Sequence, residues 1–346
     1  MGTRGHGPTS LPPRPVKLTL SRRFRFAGEI RSWVELIGKR LVSLVIVMSV
    51  VGIIVFTLMY VAPGDPAGVM LGPEASPDDV ARLRHQLGLN QPLIVQLGRW
   101  SFRVVQGELG ESIFLNQPVT KSIAERAEPT LALTVLGMMV AVGLGVPFGV
   151  ISAVRSGTVI DQAFSTVAVL GVSMPEFWLG INLMLLFGQH LGWLPVAGYT
   201  PLLEDPRQWF RSLVLPALAI GLVQSALIAR ITRSAMLDVL GQDYIRTARA
   251  KGLMERVVVY RHALRNALVQ VVTVIGVVLA VLLSGAVVVE TVFNIPGLGR
   301  LLITSVLRRD YPVIQGIALL VSAIYILVSL LIDILYVYLN PKIKYL

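Results

Sequence analysis

Residues able to do chemistry are sparse inside the long apolar runs of this chain. Only Glu176 and Asp333 are ionisable there. A charged side chain facing hydrocarbon at the centre of a span costs at least ~2.5 kcal/mol, so such groups are kept for a partner or a function. Glu176 lies near the middle of its run. It directly follows Pro175, with Ser173 just ahead and Gln224 in the next run. A proline in a spanning helix frees carbonyls that a neighbouring polar cavity satisfies. Ser173, Pro175, Glu176 and Gln224 are therefore candidates for lining a wet path, in which Glu176 would attract a cationic group. The competing reading is a glutamate hydrogen-bonded between two helices. Asp333, near the end of the last run, reads as a carboxylate that snorkels toward water or pairs locally.

The second chemical signal is a polar, basic insertion, Asp243-Tyr-Ile-Arg-Thr-Ala-Arg-Ala-Lys-Gly252. Its pattern predicts a short helix, N-capped by Asp243 and ended by Gly252 in the left-handed conformation. A second helix is expected from Leu253 to Leu268, carrying Arg256, Arg261 and Arg265. Two short helices meeting at a glycine make a rigid elbow suited to passing force to another protein. The alternative is a basic loop resting on anionic lipid headgroups.

Absent motifs exclude much else. No Gly-x-x-x-x-Gly-Lys-Ser/Thr is present to cradle ATP phosphates, and neither His-Glu-x-x-His nor Gly-x-Ser-x-Gly occurs. No enzymatic activity is expected. One central carboxylate does not make the relay of ionisable groups that ion-coupled carriers use. His6, His85, His190 and His262 are scattered and cysteine is absent, so no metal or cofactor is expected.

The elements that must position these residues follow from composition. The chain has 346 residues, 54% hydrophobic and 15% charged, with mean hydropathy +0.70. A soluble domain carries about 25% charged residues, so the excess apolar surface needs lipid. Six runs are long enough to cross about 30 Å of hydrocarbon, near Leu41–Val61, Leu131–Ala153, Phe164–Phe187, Leu213–Ala229, Val269–Val289 and Val313–Tyr338. The fourth is the weakest. Pro216 and Gln224 suggest that it lines other helices rather than lipid. The expected fold is all-α and polytopic, with a disordered tail over residues 1–38 and a transmembrane domain over 39–346. With the N-terminus inside, 20 of the 31 basic residues fall on the inner side and 11 on the outer. Both termini and the 230–268 loop are thus expected in the cytoplasm. The net charge of +11 reflects this rule rather than nucleic-acid binding.

The outer loop 62–130 is expected to be helical. Ser76-Pro77-Asp78-Asp79 starts one helix that Gly88 ends, and an amphipathic helix follows from Pro92 to Gln106, bounded by Gly107. Gly145-Val-Pro-Phe-Gly149 lies inside a span and reads as close helix packing.

Arg246-Thr-Ala-Arg-Ala-Lys-Gly252, continued by Arg261-His-Ala-Leu-Arg-Asn-Ala267, resembles the EAA-type loop of the peptide/nickel branch of ABC-importer permeases. Matching segments occur in order elsewhere: Ala62-Pro-Gly-Asp-Pro-Ala67, Gly107-Glu-Leu-Gly-Glu-Ser112 and Ser173-Met-Pro-Glu-Phe-Trp-Leu-Gly180, then Glu290-Thr-Val-Phe-Asn-Ile-Pro-Gly-Leu-Gly299 and Arg309-Asp-Tyr-Pro312. The similarity covers roughly residues 38–345. Val269-Gln270 departs from it, standing where the family often has Leu-Pro. The resemblance implies the type I importer permease fold in a bacterial inner membrane. It also implies a second homologous permease as heterodimer partner, two ABC ATPases and an extracytoplasmic substrate-binding protein. On that carry-over Asp243, Arg246, Thr247, Ala248, Arg249, Ala250, Lys251 and Gly252 form the coupling helix. The cargo implied is a dipeptide or oligopeptide. Nickel complexes, glutathione and other small solutes are the alternatives within the family, and an ion-coupled carrier is the rival class.

Overall fold

The computed structural model describes residues 21–61, 65–72, 75–86 and 88–339, and among them all regular structure is helical. The helices are α1 (Ser21–Val61), α2 (Pro66–Leu71), α3 (Pro77–Gln86), α4 (Leu93–Val105), α5 (Val119–Val154), α6 (Val159–Ser173), α7 (Glu176–Leu183), α8 (Pro206–Leu240), α9 (Asp243–Ala250), α10 (Glu255–Val257), α11 (Arg265–Val292), α12 (Leu298–Leu307) and α13 (Tyr311–Leu339). The chain divides into two units. The described part of the first is residues 21–43 of α1. The second is the body from Leu44 onward.

Two expected boundaries move. Helix α1 begins at Ser21, inside the segment expected to be an unstructured tail. The helix-breaking prolines at positions 8, 12, 13 and 15 all precede it, so no proline interrupts α1. Residues 1–20 lie outside the described residues, as do residues 62–64 of the Ala62–Ala67 segment. The third apolar run is not one straight helix. α6 ends at Ser173, Met174 is extended (φ −87°, ψ 130°), and α7 starts after Pro175, with a bend of 102° between the two limbs. Pro175 lacks an N–H and forces the residue before it out of the helical region. α7 then runs into a wide π turn, Met184–His190.

Five helices are long and apolar enough to cross a membrane, and the bent pair α6–α7 makes a sixth span if counted as one. α8 is the central one. In its most apolar window 61% of residues are buried, against 17–28% in the other four. Ser212, Gln224, Ser225 and Thr232 are buried within it, which explains why its hydrophobic signal is the weakest. It packs on α5, α6, α7 and α11. Leu133, Leu213, Leu215, Ile220, Ile228, Val278, Leu282 and Phe293 form the core between them.

The α5–α8 contact brings backbone against backbone. A Cβ at Gly149 would stand 2.6 Å from the carbonyl oxygen of Ala229 and 2.5 Å from Thr232 Cβ, and one at Gly145 would stand 2.8 Å from the carbonyl oxygen of Ser225. Gly221 on α8 repeats the arrangement against the Gly137 carbonyl. This is the close packing expected of Gly145-x-x-x-Gly149.

Around this core, α13 holds α4 and α1 through polar bonds of Gln315. Trp100 Nε1 donates to Gln315 Oε1 (3.1 Å), and Gln315 Nε2 donates to the carbonyl of Val55 (3.2 Å). α3 starts and ends as expected, with Asp79 N donating to Ser76 Oγ and a left-handed Gly88. α4 likewise ends before a left-handed Gly107.

Gly149→Ala is expected to lower the unfolding free energy in detergent by about 1–3 kcal/mol, the cost of overpacking a tight contact. Gly143→Ala, where a Cβ meets nothing within 4 Å, should change it by less than ~0.5 kcal/mol. Thermal or denaturant unfolding of the two variants checks the contrast.

Candidate functional site

α9 stands at the end of the bundle where α8 finishes and α11 begins. Its inner face is apolar. Ile245 and Ala248 are buried on Ala235, Met236, Val258, Val259 and Ala263. Asp243, Arg246, Thr247, Arg249, Ala250 and Lys251 are exposed. Gly252 has φ +74°, as predicted for the residue that ends the helix. It lets Leu253 N reach back to the Ala248 carbonyl (3.4 Å). Past the glycine, Leu253 and Met254 project outward, Met254 73% exposed.

Four details differ from the sequence expectation. Gln242 is the N-cap and Asp243 sits in the first turn without a capping bond. Its carboxylate pairs instead with Arg246 (3.3 Å) and favours the positive helix end. Ala248 faces the bundle, not the exterior. Arg249 is engaged within the chain, its Nε and Nη2 donating to Glu255 at 3.1 and 2.7 Å, and that carboxylate raises the Arg249 pKa. Finally, the second helix of the elbow is not separate. α10 passes through a wide π turn, Val258–Leu264, straight into α11. The elbow therefore joins one short helix to the root of a long one. Asn266 Nδ2 donates to Tyr244 Oη (2.9 Å), tying the two together.

Of the residues expected along a wet path, the structure brings two together. Gln224 Nε2 donates to Glu176 Oε1 at 2.8 Å, joining the first turn of α7 to the middle of α8. Pro175 makes the break that aims Glu176. Ser173 is not part of the group, since it is exposed and its Oγ donates to the Val169 carbonyl of its own helix (2.9 Å). Asp333 is buried, 7% exposed, so it does not snorkel to water.

Three buried carboxylates escaped the sequence reading as sites. Asp161, in the first turn of α6, accepts from Arg233 Nε and Nη2 (2.6 and 2.8 Å), Ser152 Oγ (2.5 Å) and Gly157 N (3.0 Å). Glu290, at the far end of α11, accepts from Thr130 Oγ1 (2.5 Å) and Arg300 N (2.9 Å). Asp310 accepts from Ser112 Oγ (2.5 Å) and from Ile113 N and Phe114 N (both 3.2 Å). Glu290 and Asp310 belong to recognised segments, yet nothing local shows what each binds. Asp161 was signalled only by Thr158 three residues earlier, whose Oγ1 caps α6. At the end away from α9, Tyr199 donates to Glu128, which also accepts from Trp209 Nε1 (3.0 Å). Burial, then the neighbouring carboxylate, push the Tyr199 phenol above its ordinary range. Among the described residues, no three His, Cys, Asp or Glu side chains are grouped to hold a metal.

The described bundle matches a known architecture. Residues 145–345 match the family described as binding-protein-dependent transport system inner membrane component, and residues 33–134 match that family's N-terminal component. The chain belongs to this family. It is therefore a multi-pass membrane permease rather than a member of a catalytic family. Similar proteins include a probable peptide ABC transporter permease of Sinorhizobium fredii, 45% identical over 89% of this chain and 98% of the relative. A putative peptide transport system permease of Brucella abortus is 46% identical over 90% and 99%. A glutathione transport system permease of Salmonella typhi is 46% identical over 89% and 98%. Among solved structures, an inward-facing MetNI methionine ABC transporter shares the fold, with TM-score 0.53 and 18% identity over 63% of this permease and 96% of that chain.

Neutralising one half of the Asp161–Arg233 pair leaves a buried charge uncompensated. A double-mutant cycle of Asp161→Asn and Arg233→Gln, read by unfolding in detergent, is expected to give a coupling energy of about 1–2 kcal/mol. Additive losses would show that the pair holds nothing.

Proposed function

We propose that this permease forms half of the translocation path of an ATP-driven importer of small peptides, with a homologous permease as the other half. The observation that carries this reading is α9, a helix seated by Ile245 and Ala248 on the floor of the bundle with a basic outer face and an apolar Leu253–Met254 tip. Two ABC ATPases are the partners that would seat on that tip. Its exposed Arg246 and Lys251 suit acidic groups on the ATPase surface. An extracytoplasmic substrate-binding protein delivers cargo at the opposite end. α9 and both termini then lie in the cytoplasm, in agreement with the distribution of basic residues. ATP-driven closure of the partners displaces α9 and biases a two-state arrangement of the helices.

Peptide is the substrate class suggested by the relatives from Sinorhizobium and Brucella. Glutathione, a small peptide itself, is a second reading favoured by relatives of equal identity. Glu176, held by Gln224 at the break in the α6–α7 span, is the group suited to a cationic amino terminus. The test is reconstitution of the complete importer in liposomes. Uptake requiring internal ATP and surviving collapse of ion gradients supports the reading, whereas gradient-driven uptake by the permease alone overturns it.

Two variants sharpen it. A β-branched residue is strained at the left-handed Gly252. Gly252→Val is expected to cut peptide uptake at least tenfold while ATP hydrolysis by the assembled complex continues, so the ratio of the two rates is the measurement. Glu176→Gln is expected to slow uptake of peptides with free amino termini several-fold more than that of N-acetylated ones. Equal slowing would return Glu176 to a helix-pairing role.

A further inference from the structure

The end of the bundle opposite α9 holds a basic cavity that none of the roles above uses. We propose that it is a socket for an acidic side chain of the soluble substrate-binding protein, an inference that rests on the transport reading. The cavity, about 320 Å³, is lined by Phe114, Arg126 on α5, Arg300, Thr304 and Arg308 on α12, and Asp310. Its charge is only partly balanced from within, three arginines standing against Asp310 and the nearby Glu290. Asp310 is the acid in its wall, and both carboxylate oxygens are spent on Ser112 Oγ, Ile113 N and Phe114 N. Glu290 takes the backbone N–H of Arg300 and the Thr130 hydroxyl, and attracts Arg126 through space without a hydrogen bond to it. Arg308 lies over the Phe114 ring at 3.3 Å, and Arg300 donates to the neutral Asn294 amide. None of the three arginines forms an ion pair with a described carboxylate. Three guanidiniums around one cavity repel one another until an anion enters, and their forked donors suit a carboxylate.

The helix geometry says where that anion comes from. At 100° per residue, Arg300, Thr304 and Arg308 share one flank of α12. Ile303 and Val306, exposed by 37% and 55%, lie on the other, with Leu307 at the border beside Arg300. The apolar flank suits lipid or a companion subunit, so the cavity opens away from it, toward water. The cavity is also off the path. Arg126 and Glu128 point to opposite flanks of α5, and Glu128 is the one that meets Tyr199 and Trp209 beside α8. α5 thus separates the arginines from Glu176 and Gln224. An anion arriving from water, outside the cargo route, is supplied by the docking protein.

The chain has no cysteine, so Thr304→Cys places a unique thiol in the cavity wall for labelling in the assembled importer with cysteine-free partners. The probe is a negatively charged methanethiosulfonate. Saturating purified substrate-binding protein is expected to slow labelling of that thiol at least tenfold in phosphatidylcholine nanodiscs. Added salt should weaken this protection, and Arg126→Gln with Arg308→Gln should abolish it in complexes that still co-purify with their ATPases. Absence of protection in an importer still performing ATP-driven uptake overturns the socket and leaves the transport reading standing. Equal protection by phosphatidylglycerol nanodiscs alone, or by inorganic phosphate alone, also overturns it in favour of a lipid headgroup or a free anion. Failure of ATP-driven uptake in the unaltered importer overturns the transport reading and the socket with it.

Discussion

The approach of α5 to α8, backbone against backbone along Gly137, Gly145, Gly149 and Gly221, is the constraint that sets everything around it. Lipid tails are as apolar as leucine, so helices in a bilayer gain little from hiding hydrophobic surface from one another. They associate through dense packing and internal hydrogen bonds. Small residues bring the α5 and α8 axes close enough for both. That closeness buries α8 more than any other span, so α8 can carry Gln224, Ser225 and Thr232 where a lipid-facing helix could not. The polar residues that weaken the hydrophobic signal of α8 are the ones its central position permits.

Carboxylates fasten the ends of this pair. Asp161 joins the α5–α6 turn to α8 on the α9 side. On the other side Glu290 ties α11 to α5 and to the first turn of α12, while Asp310 fixes the 108–118 loop at the start of α13. Each is satisfied by several donors at once, the condition under which a buried charge holds structure rather than costing it. Glu290 and Asp310 also exploit backbone N–H groups at helix starts and turns, which are otherwise orphaned.

Much of this was legible in the residues. Apolar runs located the spans, Gly252 marked the end of α9, Gly145 and Gly149 announced a tight contact, and Gln224 pointed to an inward-facing helix. What stayed hidden depends on separation in sequence. Arg233 lies 72 residues from Asp161, and Thr130 lies 160 residues from Glu290. No local pattern names such partners. Pro175 was visible, but a proline alone specifies a weakened helix, not a turn of 102°. The sharpness comes from packing, with Gly180 of α7 pressed on Phe293 and Ala219. The partner of Arg249 stayed hidden for a related reason. Its partner Glu255 is six residues away, but the turn at Gly252 had to be folded before the two could meet.

The break at Met174–Pro175 is spanned by two tethers to the same helix. α6 is held to α8 by Asp161 at Arg233, and α7 is held to α8 by Glu176 at Gln224. Positions 224 and 233 are nine residues apart, about 13 Å along α8. The first tether offers Asp161 four donors, two from one guanidinium. The second is a single hydrogen bond from an amide to a half-buried carboxylate. Any change in the angle between α6 and α7 must lengthen one of them, and the lone hydrogen bond is the weaker. On the proposed coupling role, force entering at α9 reaches α8 through Ile245 against Met236, less than one turn from Arg233. α6 then moves with α8 as one body, and the limb that yields is α7, carrying Glu176 away from Gln224. On that reading, motion at α9 becomes release or capture at the middle of the span.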